Sequence, residues 1–164
     1  MAKRQIFYSF HYKNDVMRVA QIRNIGAFEG NKPVSANDWE EVKKKGDSGI
    51  KKWIDENMSY RSCIIVMVGE ETFNRPWVKY EIEKAWNDGK GVLGIYIHNV
   101  KCPNQGTCKQ GNNPFDYFTL DNGKKRLSSV VKCYNPKSSD AYNSIKDNIE
   151  DWIEEAITIR NNYK

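Results

Sequence analysis

The chain has 164 residues, of which 39% are hydrophobic, 29% charged and 12% aromatic, with a formal net charge of +5. That length suits one domain spanning 1–164, and the apolar share supports one core, which excludes a disordered, collagen-like or low-complexity polypeptide. The longest unbroken apolar run, residues 63–68, is six residues long, far short of the roughly 20 that a membrane-crossing helix requires.

Residues 1–5 lead straight into a strand-like segment with no apolar region of the signal-peptide kind, so a cytoplasmic protein with no membrane partner is expected. The basic runs at 43–45, 51–52 and 124–126 are interleaved with Glu40, Glu41, Asp47, Asp55 and Glu56. A nucleic-acid stripe would be one-sided, so these charges read as solvated faces and no specific nucleic-acid partner is expected. The four cysteines, Cys63, Cys102, Cys108 and Cys133, are read as reduced. His98, Cys102 and Cys108 could approach a zinc ion, but no CxxC pair accompanies them, and no metal is expected.

In chain order, residues 5–10 (QIFYSF) read as a buried strand, followed by a helix that Asp15 can cap and that carries Val16, Val19, Ala20 and Ile22 on one side. Glycine and proline between 26 and 37 leave room only for a short strand at 33–35, and a loop with Trp39 follows. Asp47 or Ser48 can cap a second helix with Ile50, Trp53, Ile54 and Met58 at helical spacing. Residues 63–68 (CIIVMV) are continuously apolar, which is the pattern of a central strand covered on both faces.

Asn74 can cap a third helix with Pro76 in its first turn and a stop near Gly89, and residues 92–97 form the next apolar strand. An irregular insertion spans about 99–128 and contains the aromatic island 114–118. A short strand at 130–134 and a terminal helix at about 140–160 complete the chain. Alternating strands and helices with right-handed crossovers predict an α/β, three-layer flavodoxin-like sandwich around a parallel sheet.

Residues 89–94 (GKGVLG) satisfy GxGxxG, yet here the glycines follow a helix and precede a strand, the reverse of the dinucleotide fingerprint. They read as a helix stop and turn. The third helix is more informative. At 100° per residue Val78, Ile82 and Ala85 form an apolar stripe, Lys79 and Glu83 lie opposite, and Trp77 and Glu81 are neighbours at its edge. A carboxylate at that edge beside an aromatic side chain suits either a satisfied structural residue or a catalytic one.

Ile6-Phe7-Tyr8-Ser9-Phe10 followed by Asp15 resembles the first box of Toll/interleukin-1 receptor (TIR) domains. The segment from Thr72 to Ile82 resembles that family's segment of a Trp, three residues and the catalytic Glu. Asn113-Pro114-Phe115-Asp116-Tyr117 is similar to the TIR-like group that includes the TIR subunit of the bacterial Thoeris anti-phage system. The resemblance runs from about Lys3 to Tyr117; residues 34–47 lack a match, and no binding residue is assigned there.

The resemblance implies a TIR fold and cleavage of the bond joining nicotinamide to ribose in NAD, which is substrate rather than cofactor. Nicotinamide leaves a pyridinium as a neutral base, so positive charge develops on the ribose. Glu81 would stabilise it as the catalytic carboxylate, and Trp77 would stack on or line the nicotinamide pocket. Phe10 and His11, at the carboxyl end of the first strand, lie where ligands collect in open parallel sheets, though a core aromatic and a loop histidine suit them equally. The resemblance further implies self-association through TIR surfaces. It also implies a cyclic ADP-ribose-type product, made when an adenosine-side hydroxyl attacks in place of water, that activates an effector. The competing reading is a non-enzymatic TIR-like adapter. A receiver-like phosphoacceptor fits poorly, because the first strand is not followed by a magnesium-binding acidic pair.

Overall fold

A computed structural model of the chain describes residues 5–23, 42–101 and 106–163. The strand expected at 33–35, the loop at Trp39 and Cys102 fall outside these residues. The β-rich opening becomes strand β1 (Ile6–Ser9), followed by helices α1 (Tyr12–Arg23) and α2 (Gly46–Met58). The apolar run becomes β2 (Cys63–Val68), and then come α3 (Pro76–Asn87) and β3 (Gly91–Tyr96). Two short strands, β4 (Thr119–Leu120) and β5 (Lys125–Arg126), pair antiparallel, and β6 (Cys133–Tyr134) precedes α4 (Ala141–Asn162).

The parallel sheet has the order β1-β2-β3-β6. All six residues of β2 are fully buried, as its uninterrupted apolar character requires of a strand with partners on both edges and helices on both faces. The strand period of two divides the core. Ile6, Tyr8, Ile65, Met67 and Ile95 pack with Val19 and Ile22 of α1 and with Ile145, Ile149 and Ile153 of α4. Phe7, Ile64, Val66 and Val92 pack with Ile50 and Ile54 of α2 and with Val78, Ile82 and Ala85 of α3. This is the three-layer α/β arrangement expected from the alternation of elements.

The helix starts differ from the local reading. Asp15 lies in the first turn of α1, which begins at Tyr12, and is buried rather than capping at the surface. Helix α2 begins at Gly46, ahead of Asp47 and Ser48, and the Lys45 side chain at its cap makes no capping hydrogen bond. Asn74 closes a 3-10 turn (Thr72–Asn74), and α3 begins from extended Arg75 with Pro76 at its first positions. The side chain that organises this turn is Thr72, whose Oγ1 accepts from the Gly69 N–H at 2.8 Å. A buried N–H needs a partner more than a solvated helix end does.

The insertion is anchored rather than wholly irregular. Asn113 caps a 3-10 turn (Pro114–Tyr117), its Oδ1 accepting from the Phe115 N–H at 2.9 Å, and Phe115 is fully buried in the α2/α3 half of the core. Asp121 (φ 54°), Asn122 (φ 58°) and Gly123 (φ 84°) make the left-handed turn between β4 and β5, a conformation that these three residue types tolerate best.

Candidate active site

Alternation along β1 sends Phe7 and Ser9 to the face covered by α2 and α3. Tyr8 and Phe10 pack with the α1/α4 half of the core. On α3 the buried positions are Val78, Glu81, Ile82, Ala85 and Trp86, so Glu81 shares the face that rests on the sheet. Ser9 is fully buried and Glu81 is 7% exposed. The Ser9 hydroxyl donates to Glu81 Oε1 at 2.8 Å. Because Ser9 ends β1, this carboxyl lies at the carboxyl edge of the sheet, the side on which open parallel sheets bind ligands.

Burial pushes the Glu81 carboxyl up to about 8, against the opposing pull of the Ser9 hydrogen bond. A carboxyl in an apolar setting holds its proton until a positive charge or further donors arrive. Glu83, two positions on, is exposed. Glu81 is thus buried more deeply than an edge position on the helical wheel suggests, because the end of β1 supplies a polar partner beneath it.

The other residues singled out by sequence do not converge on that carboxyl. Trp77 is half-buried one turn before Glu81 and packs with the α2/α3 half of the core. Its ring meets that of Tyr80 edge-on at 5.9 Å, and the Tyr80 hydroxyl donates to Asp55 Oδ1 of α2 at 2.7 Å. Phe10 packs on the opposite side of the sheet from Ser9 and Glu81. His11, just past β1, has Nδ1 3.8 Å from Glu71 Oε2.

Two features escaped the sequence reading. Ser9 was the one small polar residue in an apolar strand, two positions from Phe7 and therefore on its face, and that was the available signal. The second is a buried pair on α1. Arg18 is 2% exposed and its Nη1 lies 3.8 Å from Asp15 Oδ1. Arg18 Nε donates to the Val100 carbonyl and Nη2 to the Gly106 carbonyl, both at 2.8 Å. Burial raises Asp15 to about 6, with Arg18 opposing the rise and Glu71 and Glu70 adding to it. The acid-base spacing of three on a helix carrying Val19 and Ile22 was the clue.

Arg18 fastens the start of the insertion, and Gly111 brings the insertion across the end of β2. A Cβ on Gly111 would lie 3.1 Å from the Gly69 carbonyl carbon and closer still to its oxygen. The Cys108 N–H adds a bond to the His98 carbonyl at 2.9 Å. Cys63, Cys108 and Cys133 carry thiols rather than disulfides. Among the described residues no three His, Cys, Asp or Glu side chains are placed to hold a metal ion, and no helix is long and apolar enough to cross a membrane.

Comparison with known proteins agrees with this architecture. The chain is 38% identical over 123 residues, 72% of its own length, to the "Putative cyclic ADP-D-ribose synthase ThsB1" of Bacillus cereus (strain MSX-D12). The match covers 64% of that relative, so the chain spans less than two thirds of the relative's length. The family model described as "Thoeris protein ThsB, TIR-like domain" matches residues 7–102, which include all of β1 but Ile6, the Thr72 turn, α3 and β3. With more than half of its residues inside that model, the chain belongs to the ThsB TIR-like domain family of Thoeris proteins.

Proposed function

We propose that this protein cleaves NAD at the nicotinamide–ribose bond and forms a cyclic ADP-ribose-type signal in anti-phage defence. The observation that carries the reading is the buried Glu81 carboxyl, held by Ser9 at the carboxyl edge of the parallel sheet. The nicotinamide of NAD is a cation until it leaves, and the ribose becomes one as it leaves. A carboxylate enclosed by protein meets that charge far more strongly than one in water, because little solvent screens it.

At pH 7 a carboxyl raised to about 8 is mostly protonated. Bringing the pyridinium cation beside it favours the ionised form, so substrate binding is coupled to loss of the Glu81 proton. Trp77 supplies an aromatic face for the nicotinamide one turn away, and Phe10 and His11 line the same edge of the sheet. Water excluded from such a site leaves an adenosine-side hydroxyl as the nucleophile, which closes the ring. The product then reaches an effector by diffusion, and assembly of the chain through TIR surfaces in the cytoplasm controls when it is made. The family membership and the name carried by the Bacillus cereus relative support this chemistry.

The test compares the unmodified chain with Glu81→Gln and Glu83→Gln, incubated with NAD or recovered from phage-challenged cells, with products identified by mass. Glu81→Gln is expected to lower turnover by about 100-fold or more, and Glu83→Gln to leave it unchanged. Equal turnover in all three proteins removes Glu81 from the chemistry. No nicotinamide release under phage challenge turns the reading to an adapter.

A further inference from the structure

We propose that Ser9 is a positioning residue for the reaction assigned to Glu81: its hydroxyl, delivered from the last position of β1, fixes which way the carboxylate points and keeps a donor on it. This deepens the reading of Glu81 as the NAD-cleaving carboxylate and rests on it.

Ser9 and Glu81 are 72 positions apart in the chain, and the hydroxyl reaches Oε1 at 2.8 Å because α3, packed on β2 and β3, brings Glu81 to the end of the neighbouring strand β1. Ser9 is fully buried, so removing its hydroxyl deletes a donor at a position closed to bulk solvent. A hydroxyl bonds more strongly to an ionised carboxylate than to a neutral acid, so this contact favours the charged form that the ribosyl cation needs. Burial acts in the opposite direction, and Ser9 is what opposes it.

Several titratable groups on the described elements around α3 have partners of their own. Asp55 of α2 takes the Tyr80 hydroxyl. His11 past β1 faces Glu71, and Tyr96 of β3 bonds Cys133. On α3 itself, Lys79 lies over the Tyr117 ring of the insertion, and Lys84 pairs with Asp88. Among the described residues, the state of Glu81 is set by its burial and by the Ser9 hydroxyl.

The experiment reads Glu81 twice, once through its own titration and once through the reaction. Protein carrying 13C-labelled glutamate gives the Glu81 carboxyl signal, assigned by its loss in Glu81→Gln, and kcat/KM for NAD is measured across pH. Ser9→Ala is expected to move the titration midpoint up by about one unit and the acid limb of the rate profile with it, lowering kcat/KM at pH 7 about tenfold with recovery toward pH 9. Ser9→Thr, which keeps the hydroxyl, is expected to restore both. Ser9→Cys, with a weaker donor of similar shape, is expected to fall between serine and alanine, and it serves as the informative variant if the alanine protein does not fold. An unmoved Glu81 titration, or a rate lowered equally at every pH, overturns the role of Ser9. If NAD cleavage survives Glu81→Gln while the titration still follows the Ser9 variants, the reading of Glu81 as the catalytic group fails and the control of its charge by Ser9 stands.

Discussion

The Asp15 carboxyl occupies the space beside Gly69 in which a side chain would begin: a Cβ there would lie 2.6 Å from Asp15 Cγ and closer to both oxygens. Gly111 crowds the carbonyl of the same glycine from the insertion side. Three segments distant in sequence therefore meet at one backbone position, and neither glycine tolerates a methyl group without movement of its neighbours. Gly69→Ala and Gly111→Ala are each expected to destabilise by about 1–3 kcal/mol, the usual range for overpacking. Chemical denaturation measures this, and unchanged midpoints would refute the packing.

Arg18 balances Asp15 while tying down Val100 and Gly106. Arg18→Met removes both roles and leaves a buried carboxyl without its counter-charge, at an expected loss of about 3–5 kcal/mol. Asp15, already raised to about 6, then rises further. The folded protein keeps a proton that the unfolded chain releases near pH 4, so the variant's stability falls as pH increases from 4 to 7. Asp15→Asn combined with Arg18→Met is expected to be less damaging than Arg18→Met alone, and a double-mutant cycle on unfolding midpoints measures the coupling.

Glu81 makes a pH prediction that needs no substrate. Its folded value of about 8 lies above the ordinary 4.5. The folded state therefore binds more protons than the unfolded one between those limits, and the contribution of Glu81 to stability is full below pH 4.5 and lost as pH rises to 8. Glu81→Gln keeps an acceptor for Ser9 and has no proton to lose. The two proteins are expected to unfold alike near pH 4.5, with the glutamine variant more stable by a few kcal/mol at pH 9. Thermal unfolding across pH decides it, and parallel curves would count against the buried, uncompensated carboxyl.

Phe115 fixes the insertion by burying its ring, with Cε2 3.0 Å from where a Gly94 Cβ would sit, closer than ordinary van der Waals contact. Phe115→Ala is expected to cost about 3–5 kcal/mol. Tyr117, more than half exposed, contributes through the Lys79 ammonium 3.8 Å from its ring centroid. Tyr117→Ala is expected to cost about 1 kcal/mol or less. Amide exchange at Phe118 and Leu127, whose N–H groups bond to Phe115 and Phe118 carbonyls, should accelerate in the first variant and change little in the second.

The sequence by itself determined β2, β3, α3 and α4, because an unbroken apolar run and a 3.6-residue period are local properties of the chain. It also placed Glu81 and Trp77 on one side of α3, since four positions on a helix always do. The tertiary structure alone decided what each of those residues meets. Ser9 reaches Glu81 because the sheet order sets β1 beside β2, on which α3 packs, and Phe10, one residue on, turns to the other layer by the strand's period of two. Local polar signals failed where burial outbid them: Asn74 could have capped a helix, but Thr72 took the buried Gly69 N–H, and Asp15 turned inward to Arg18. A buried polar group must find its partner wherever the fold brings one, and that partner is fixed by packing between segments rather than by spacing along the chain.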